Sequence, residues 1–150
     1  MRYFVIAAIL VAFGAGFGAA RLTLPVSAAS VPMTAQVVDV GAMTYADLPA
    51  LAAGAALHTK NFVTEDGATV DVQMGAAGRH LHTDADEIQY VVEGTGTEWL
   101  GDKQVALKPG LMLLIPHTTP HGGTVETDGH VKMIAIHTPP IQPGGTKPYP

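Results

Sequence analysis

From Asn61 onward the chain alternates apolar and polar residues in short runs, and nearly every run is closed by glycine or proline. A side-chain period of two belongs to a β-strand, whose successive residues face opposite sides of a sheet. The pattern predicts strands over residues 69–74, 88–92, 97–100, 104–107, 111–115, 123–127 and 131–137. Turn signals fall at Glu65-Asp66-Gly67, Gly101-Asp102, Pro109-Gly110 and Asp128-Gly129. Short strands at such close spacing predict an all-β fold, a small antiparallel β-barrel or double-sheet jelly roll.

The remainder of the chain divides around that unit. Residues 3–20 are an apolar run behind Arg2 and ahead of Arg21, with small residues at 26–29. We expect residues 1–29 to be a hydrophobic helix that acts as a signal peptide, cleaved after Ala28 or Ala29, or is retained as a membrane anchor. Either outcome places the rest outside the cytoplasm, in the periplasm or extracellular space, tethered to the membrane in the second case. Residues 30–60 read as a spacer with one short helix over 44–54, Thr44 as its N-cap and Gly54 as its stop. The barrel is expected over 61–138. The Pro- and Gly-rich tail 139–150 reads as an extended strap or disordered end that does not join a sheet.

Charge and composition narrow the function classes. Without residues 1–29, six basic side chains face all thirteen acidic ones, which argues against nucleic acid as a partner. The absence of cysteine excludes disulfides, thiolate ligands and catalytic thiols. No Ser-His-Asp or paired-carboxylate arrangement is visible, so hydrolysis is a weaker expectation than oxygen or carbon-centre chemistry.

The chemistry-bearing residues are His80, His82, Glu87 and His121. At i and i+2 on a strand, His80 and His82 point to one face as a two-point chelate. A carboxylate from Glu87 and a third imidazole from His121 complete a set suited to a divalent transition metal (Mn, Fe, Co, Ni, Cu or Zn) with positions left for water or substrate.

These residues fall in two motifs. Gly75, His80, His82, Glu87 and Gly94 follow G(X)5HXH(X)3,4E(X)6G, with one residue fewer between Gly75 and His80; Gly110, Pro116 and His121 follow G(X)5PXG(X)2H(X)3N, with Thr118 and Val125 in place of the last Gly and the Asn. The chain thus resembles the cupin superfamily over residues 62–137. The resemblance implies metal ligation by His80, His82, Glu87 and His121, an antiparallel barrel, and a homodimer. It also implies a small-molecule substrate and dioxygenase-like, decarboxylase-like or isomerase chemistry, or else a non-catalytic metal- or ligand-binding barrel.

Other side chains have milder expectations. Gln89 and Val91 share the inward face of Glu87 by period two, and Met74, Gln89, Val91 and Met112 are expected to line a pocket. Gly94 and Gly110 are placed at hairpin turns with positive φ. His117 reads as a solvated loop residue, His58 and His130 as surface residues, and Asp84 and Asp86 as a solvated turn. His137 is given no role tied to the four ligands by spacing. Tyr90 and Trp99 read as core or interface aromatics.

Overall fold

Eight strands follow in chain order, all paired antiparallel, in the computed structural model, which describes residues 30–65 and 67–150. They are β1 (His58–Glu65), β2 (Ala68–Met74), β3 (His80–His82), β4 (Asp86–Leu100), β5 (Lys103–Leu107), β6 (Met112–Ile115), β7 (His121–Thr138) and β8 (Thr146–Pro148). The sheet curls on itself around two long strands, β4 and β7, which pair from Asp86↔Thr138 to Leu100↔His121. β7 also pairs with β2, and β2 with β1. β4 carries β5 and β6. The short β3 touches β7 through His80↔His121 and is flanked by β8.

Two predicted strand pairs are each one continuous strand. Residues 88–92 and 97–100 belong to β4, and 123–127 and 131–137 belong to β7. Gly94 is therefore not at a hairpin turn: it sits inside β4 at φ 79°, where the β4–β7 register shifts between Glu93 and Thr95. A Cβ there would strike the His130 carbonyl oxygen, so only glycine fits this bulge. The register shift just before it, between Val91 and Glu93, changes which face looks inward, since Val91 is in the core and Glu93 is exposed on the side of Lys132. Before it Glu87, Gln89 and Val91 are buried; after it Gly96 and Glu98 are. A strict period of two from Glu87 would have aimed Glu98 at solvent.

The barrel interior is apolar at one end and polar at the other. Val91, Leu107, Leu113, Ile115, Val131 and Met133 form the inner core. A second cluster lies outside the sheet, where Leu48, Val40, Met43 and Tyr45 of the spacer pack on Val72, Met74 and Phe62. Full burial of one such leucine stabilises the fold by about 2 kcal/mol, so residues 40–48 act as a cover for β2. The buried ammonium of Lys132 fastens that cover, donating to the Gly41 carbonyl (3.0 Å) and pairing with Glu93 (2.7 Å).

Three local expectations are corrected. The helix over 44–54 is only a three-residue 3-10 turn, Tyr45–Asp47, because Pro49 cannot donate in a helix interior. Thr44 and Asp47 do form its capping box. The tail does join the sheet, since Thr146 to Pro148 pair with β3; at an edge, proline's missing N–H is tolerated. The expected hydrophobic helix of residues 1–29 lies outside the described residues. Among the described residues no helix is long and apolar enough to cross a membrane.

Gly94→Ala should lower the unfolding free energy by about 2 kcal/mol, from the disfavoured φ and the clash together. Urea unfolding reads this directly; an unchanged midpoint would contradict the bulge requirement.

Candidate metal centre

One ligand atom each from His80, His82, Glu87 and His121 lies within 4.8 Å of every other. The long strands supply Glu87 and His121, whose side chains are 3% and 1% exposed, and β3 supplies the two remaining histidines. The four therefore meet inside the polar end of the barrel, as their spacing predicts.

Each imidazole is turned by a partner on its far nitrogen. His80 Nδ1 donates to the Gly78 carbonyl (2.7 Å) and His121 Nδ1 to the Thr119 carbonyl (3.0 Å). A carbonyl only accepts, so both Nδ1 atoms carry hydrogen and both Nε2 atoms of the neutral rings are bare lone pairs. His82 Nδ1 meets the Thr146 hydroxyl (3.1 Å) of the tail strand. Such outer contacts fix ring tautomer and orientation at metal sites.

The inward atoms then pose an electrostatic problem. His121 Nε2 lies 2.8 Å from Glu87 Oε2, and His82 Nε2 lies 3.2 Å from the same oxygen. A bare imidazole nitrogen and a carboxylate oxygen are both acceptors, so their close approach requires a cation between them, a second ring proton or a metal ion. Among the described residues His121 Nε2 makes no hydrogen bond of acceptable geometry, which is what a lone pair aimed at a shared point rather than at the oxygen would show. The donor set of three imidazoles and one carboxylate fits a borderline divalent transition metal.

The titration behaviour follows from the same contacts. Burial alone would raise Glu87, but the close imidazoles of His121, His137 and His82 pull it well below the usual carboxylate range. Burial opposes charging of His121, yet the Glu87 carboxylate lifts it above the ordinary imidazole value. His80, chiefly through burial, is lowered. Two more carboxyl groups share the cavity. Burial raises Asp71 to about 6 and Glu98 to about 7.

Around the four lies a cavity of about 830 Å³ whose polar lining includes Thr59, Asn61, Asp71, Gln89, Glu98 and Thr124. Gln89 donates to Glu87 Oε1 (2.9 Å) and so holds the carboxylate. His137 lies with Nε2 3.5 Å from Glu87 Oε1 and Nδ1 3.6 Å from Asp71 Oδ2. Sequence spacing gave no sign of this; the signal available was its inward phase with Met133 and Ala135 on β7. Asp71 and Glu98 were missed as well, and the glycines inside β4 were the clue to Glu98.

The remaining expectations divide. Met112 is 57% exposed, and Met74 and Val91 pack in the two hydrophobic clusters, so none of the three lines the cavity; Gln89 does. His58 is half-buried rather than on the surface, bonded to the Leu48 carbonyl (2.7 Å) and stacked on Tyr45. His130 is exposed. Asp84 and Asp86 are not free turn residues: Asp84 accepts from the Gln142 N–H and Asp86 from the His117 N–H. His117 is exposed, as a loop residue should be, with its ring on Asp86. Trp99 stacks on the Arg79 guanidinium, whose other face meets Tyr149. Thr118 keeps the left-handed backbone (φ 64°) that the motif's glycine would adopt, and donates its N–H to the His82 carbonyl.

Residues 68–137 match the family model of the cupin domain. The barrel over residues 68–137 is a cupin domain. Acireductone dioxygenase 1 of Oryza sativa subsp. japonica is 35% identical to the chain over 65 residues, which cover 38% of this chain and only 31% of that protein. Among solved structures, a protein with a double-stranded β-helix domain from Klebsiella pneumoniae aligns over 78% of this chain and 99% of its own, at a TM-score of 0.61 and 13% identity. KdgF from Halomonas sp. aligns over 62% of this chain and 86% of its own, at 0.54 and 24%. At these identities the structural matches establish the cupin barrel as the shared fold.

The titrations set a pH dependence for the metal-free protein. The lowered Glu87 adds stability above the carboxylate range, lost only in acid. The raised His121 adds stability below about pH 6.5, lost as pH climbs through its folded value. The raised Asp71 and Glu98 both penalise the folded state as pH rises towards 7; the half-buried His80 opposes them. Metal-free protein should therefore melt higher at about pH 5.5 than at about pH 8, and Zn²⁺ should raise the melting temperature most at pH 8, where protons no longer compete. Thermal melts at both pH values check this; a higher melting temperature at pH 8 without metal would contradict it.

Proposed function

We propose that the barrel is a metal-dependent enzyme acting on a small oxygen-rich molecule, with a divalent transition metal (Mn, Fe, Co, Ni, Cu or Zn) held by His80, His82, Glu87 and His121. The observation that carries this reading is the convergence of imidazole nitrogens and a carboxylate oxygen at one point beside an open cavity that carries polar groups in a largely apolar wall. Four protein ligands leave coordination positions for water or substrate on a metal that prefers five or six. When bound, the metal supplies Lewis-acid polarisation of a substrate oxygen or, if redox-active, O2 chemistry.

The protein's own contribution is orientation. Gly78, Thr119 and Thr146 fix the three rings, Gln89 fixes the Glu87 carboxylate, and hydroxyl and amide groups of Thr59, Asn61 and Thr124 offer hydrogen bonds to a polar ligand. The partial likeness to a dioxygenase supports dioxygenase-like chemistry, and the buried carboxyl groups support decarboxylase-like proton transfer as well. The apolar run at residues 3–20 supports export, with the barrel released or tethered to the membrane. The exposed apolar side chains Tyr90, Met112 and Leu114, neighbours on β4 and β6, support a homodimer.

Water-proton relaxation of the Mn²⁺-loaded full chain separates an enzyme from a closed binding barrel. Strong enhancement, reporting exchangeable water on the metal, is the expected result. Relaxation no greater than that of a coordinatively saturated ion would favour a non-catalytic metal-binding module.

A further inference from the structure

We infer that Glu98 is the substrate-facing acid of the cavity, donating its carboxyl hydrogen to an oxygen of the molecule held beside the four ligands. The inference rests on the metal-dependent reading above and names the residue that would meet the ligand's carbonyl or carboxylate oxygen.

Geometry carries it. Glu98 is 1% exposed and lines the same cavity as His80, His82 and Glu87. Its Oε1 is buried and has no hydrogen-bond partner among the described residues. Buried carboxyl groups are ordinarily paired with a cation or held by donors, and each unpaired buried polar atom calls for an explanation. Of the Lys and Arg side chains, Arg79 lines the cavity, and its two terminal nitrogens donate to the carbonyls of Gly101 and Pro150 beside Trp99 and Tyr149. The sheet itself is irregular where this placement is set: the register shift between Val91 and Glu93 reverses the inward phase of β4, and without that reversal Glu98 would face solvent. A residue serving only the fold would be better replaced by an apolar side chain at such a position.

Burial also keeps the carboxyl protonated up to about pH 7, and a neutral carboxylic acid in an apolar or anionic setting is a strong hydrogen-bond donor to a developing oxyanion. In turnover the same contact passes a proton. The Glu98 O–H bond breaks, an O–H bond forms on the substrate oxygen, the negative charge moves to the Glu98 carboxylate, and water restores the proton.

The test uses the full chain with Glu98→Gln and Glu98→Leu, and glycolate, a small hydroxy acid, as the probe. Zn²⁺ binding and thermal unfolding come first, then calorimetric titration of the Zn²⁺-loaded proteins with glycolate. Both variants should hold Zn²⁺ like the wild type and melt no lower. Glycolate affinity should stay within about threefold in Glu98→Gln, whose amide is a neutral donor, and fall about tenfold or more in Glu98→Leu. Wild-type affinity in Glu98→Leu, equal losses in both variants, no glycolate binding by the wild type, or early melting with loss of Zn²⁺ in the variants would each overturn the assignment. A wild type that fails to bind Zn²⁺ would instead sink the metal reading, and that failure appears before glycolate is added.

Discussion

The rest of this structure is arranged around two acceptors held 2.8 Å apart, the Nε2 atom of His121 and a carboxylate oxygen of Glu87. With Nδ1 committed to the Thr119 carbonyl, the neutral ring has no hydrogen to offer that oxygen. A barrel that buries such a contact must hold a positive charge there, and burial makes the demand stronger because water is not available to share it. His80 brings a further bare nitrogen to the same place, and His82 Nε2, within hydrogen-bond distance of the same carboxylate oxygen, completes the set. A metal ion satisfies them together.

Local features of the fold follow from maintaining that convergence. β4 and β7 are long because each carries a ligand and part of the apolar core; Glu87 pairs with His137 at one end of their ladder and His121 with Leu100 at the other, and the curl of the sheet brings the two ligands together. β3 is short, and its register is secured from outside by the tail strand: Thr146 orients His82, while Arg79, clamped between Trp99 and Tyr149, anchors the chain beside His80. The spacer covers the outer face of β2 and leaves the interior free for polar residues. Apolar packing at one end of the barrel thus supports a cavity at the other.

Much of this was legible in the sequence because the signals were local. Alternation marked strands, Gly-Pro punctuation marked turns, and a His-x-His pair on a strand needs no tertiary information to face one way. What escaped was set by long-range pairing. Gly94 was read as a turn because a glycine with positive φ serves a hairpin and a bulge equally well, and only pairing with β7 distinguishes them. Glu98 was hidden by the register shift between Val91 and Glu93, which reverses the face that simple periodicity assigns. His137 and Asp71 reach Glu87 from strands whose neighbourhood no spacing rule encodes. The proline-rich tail was judged unfit for a sheet, yet an edge strand of three residues needs few donors. The spacer helix failed for a local reason, Pro49, which outweighed a sound N-cap.

The most direct measurement is the metal content of full-length protein purified without added metal, beside a His80→Ala/His82→Ala double variant. The convergence of acceptors predicts one transition-metal ion per chain in the wild type and its loss in the variant, with the β-rich circular dichroism of both unchanged. Full occupancy in the variant, or no metal in either protein, would contradict the assignment of this site as a metal centre.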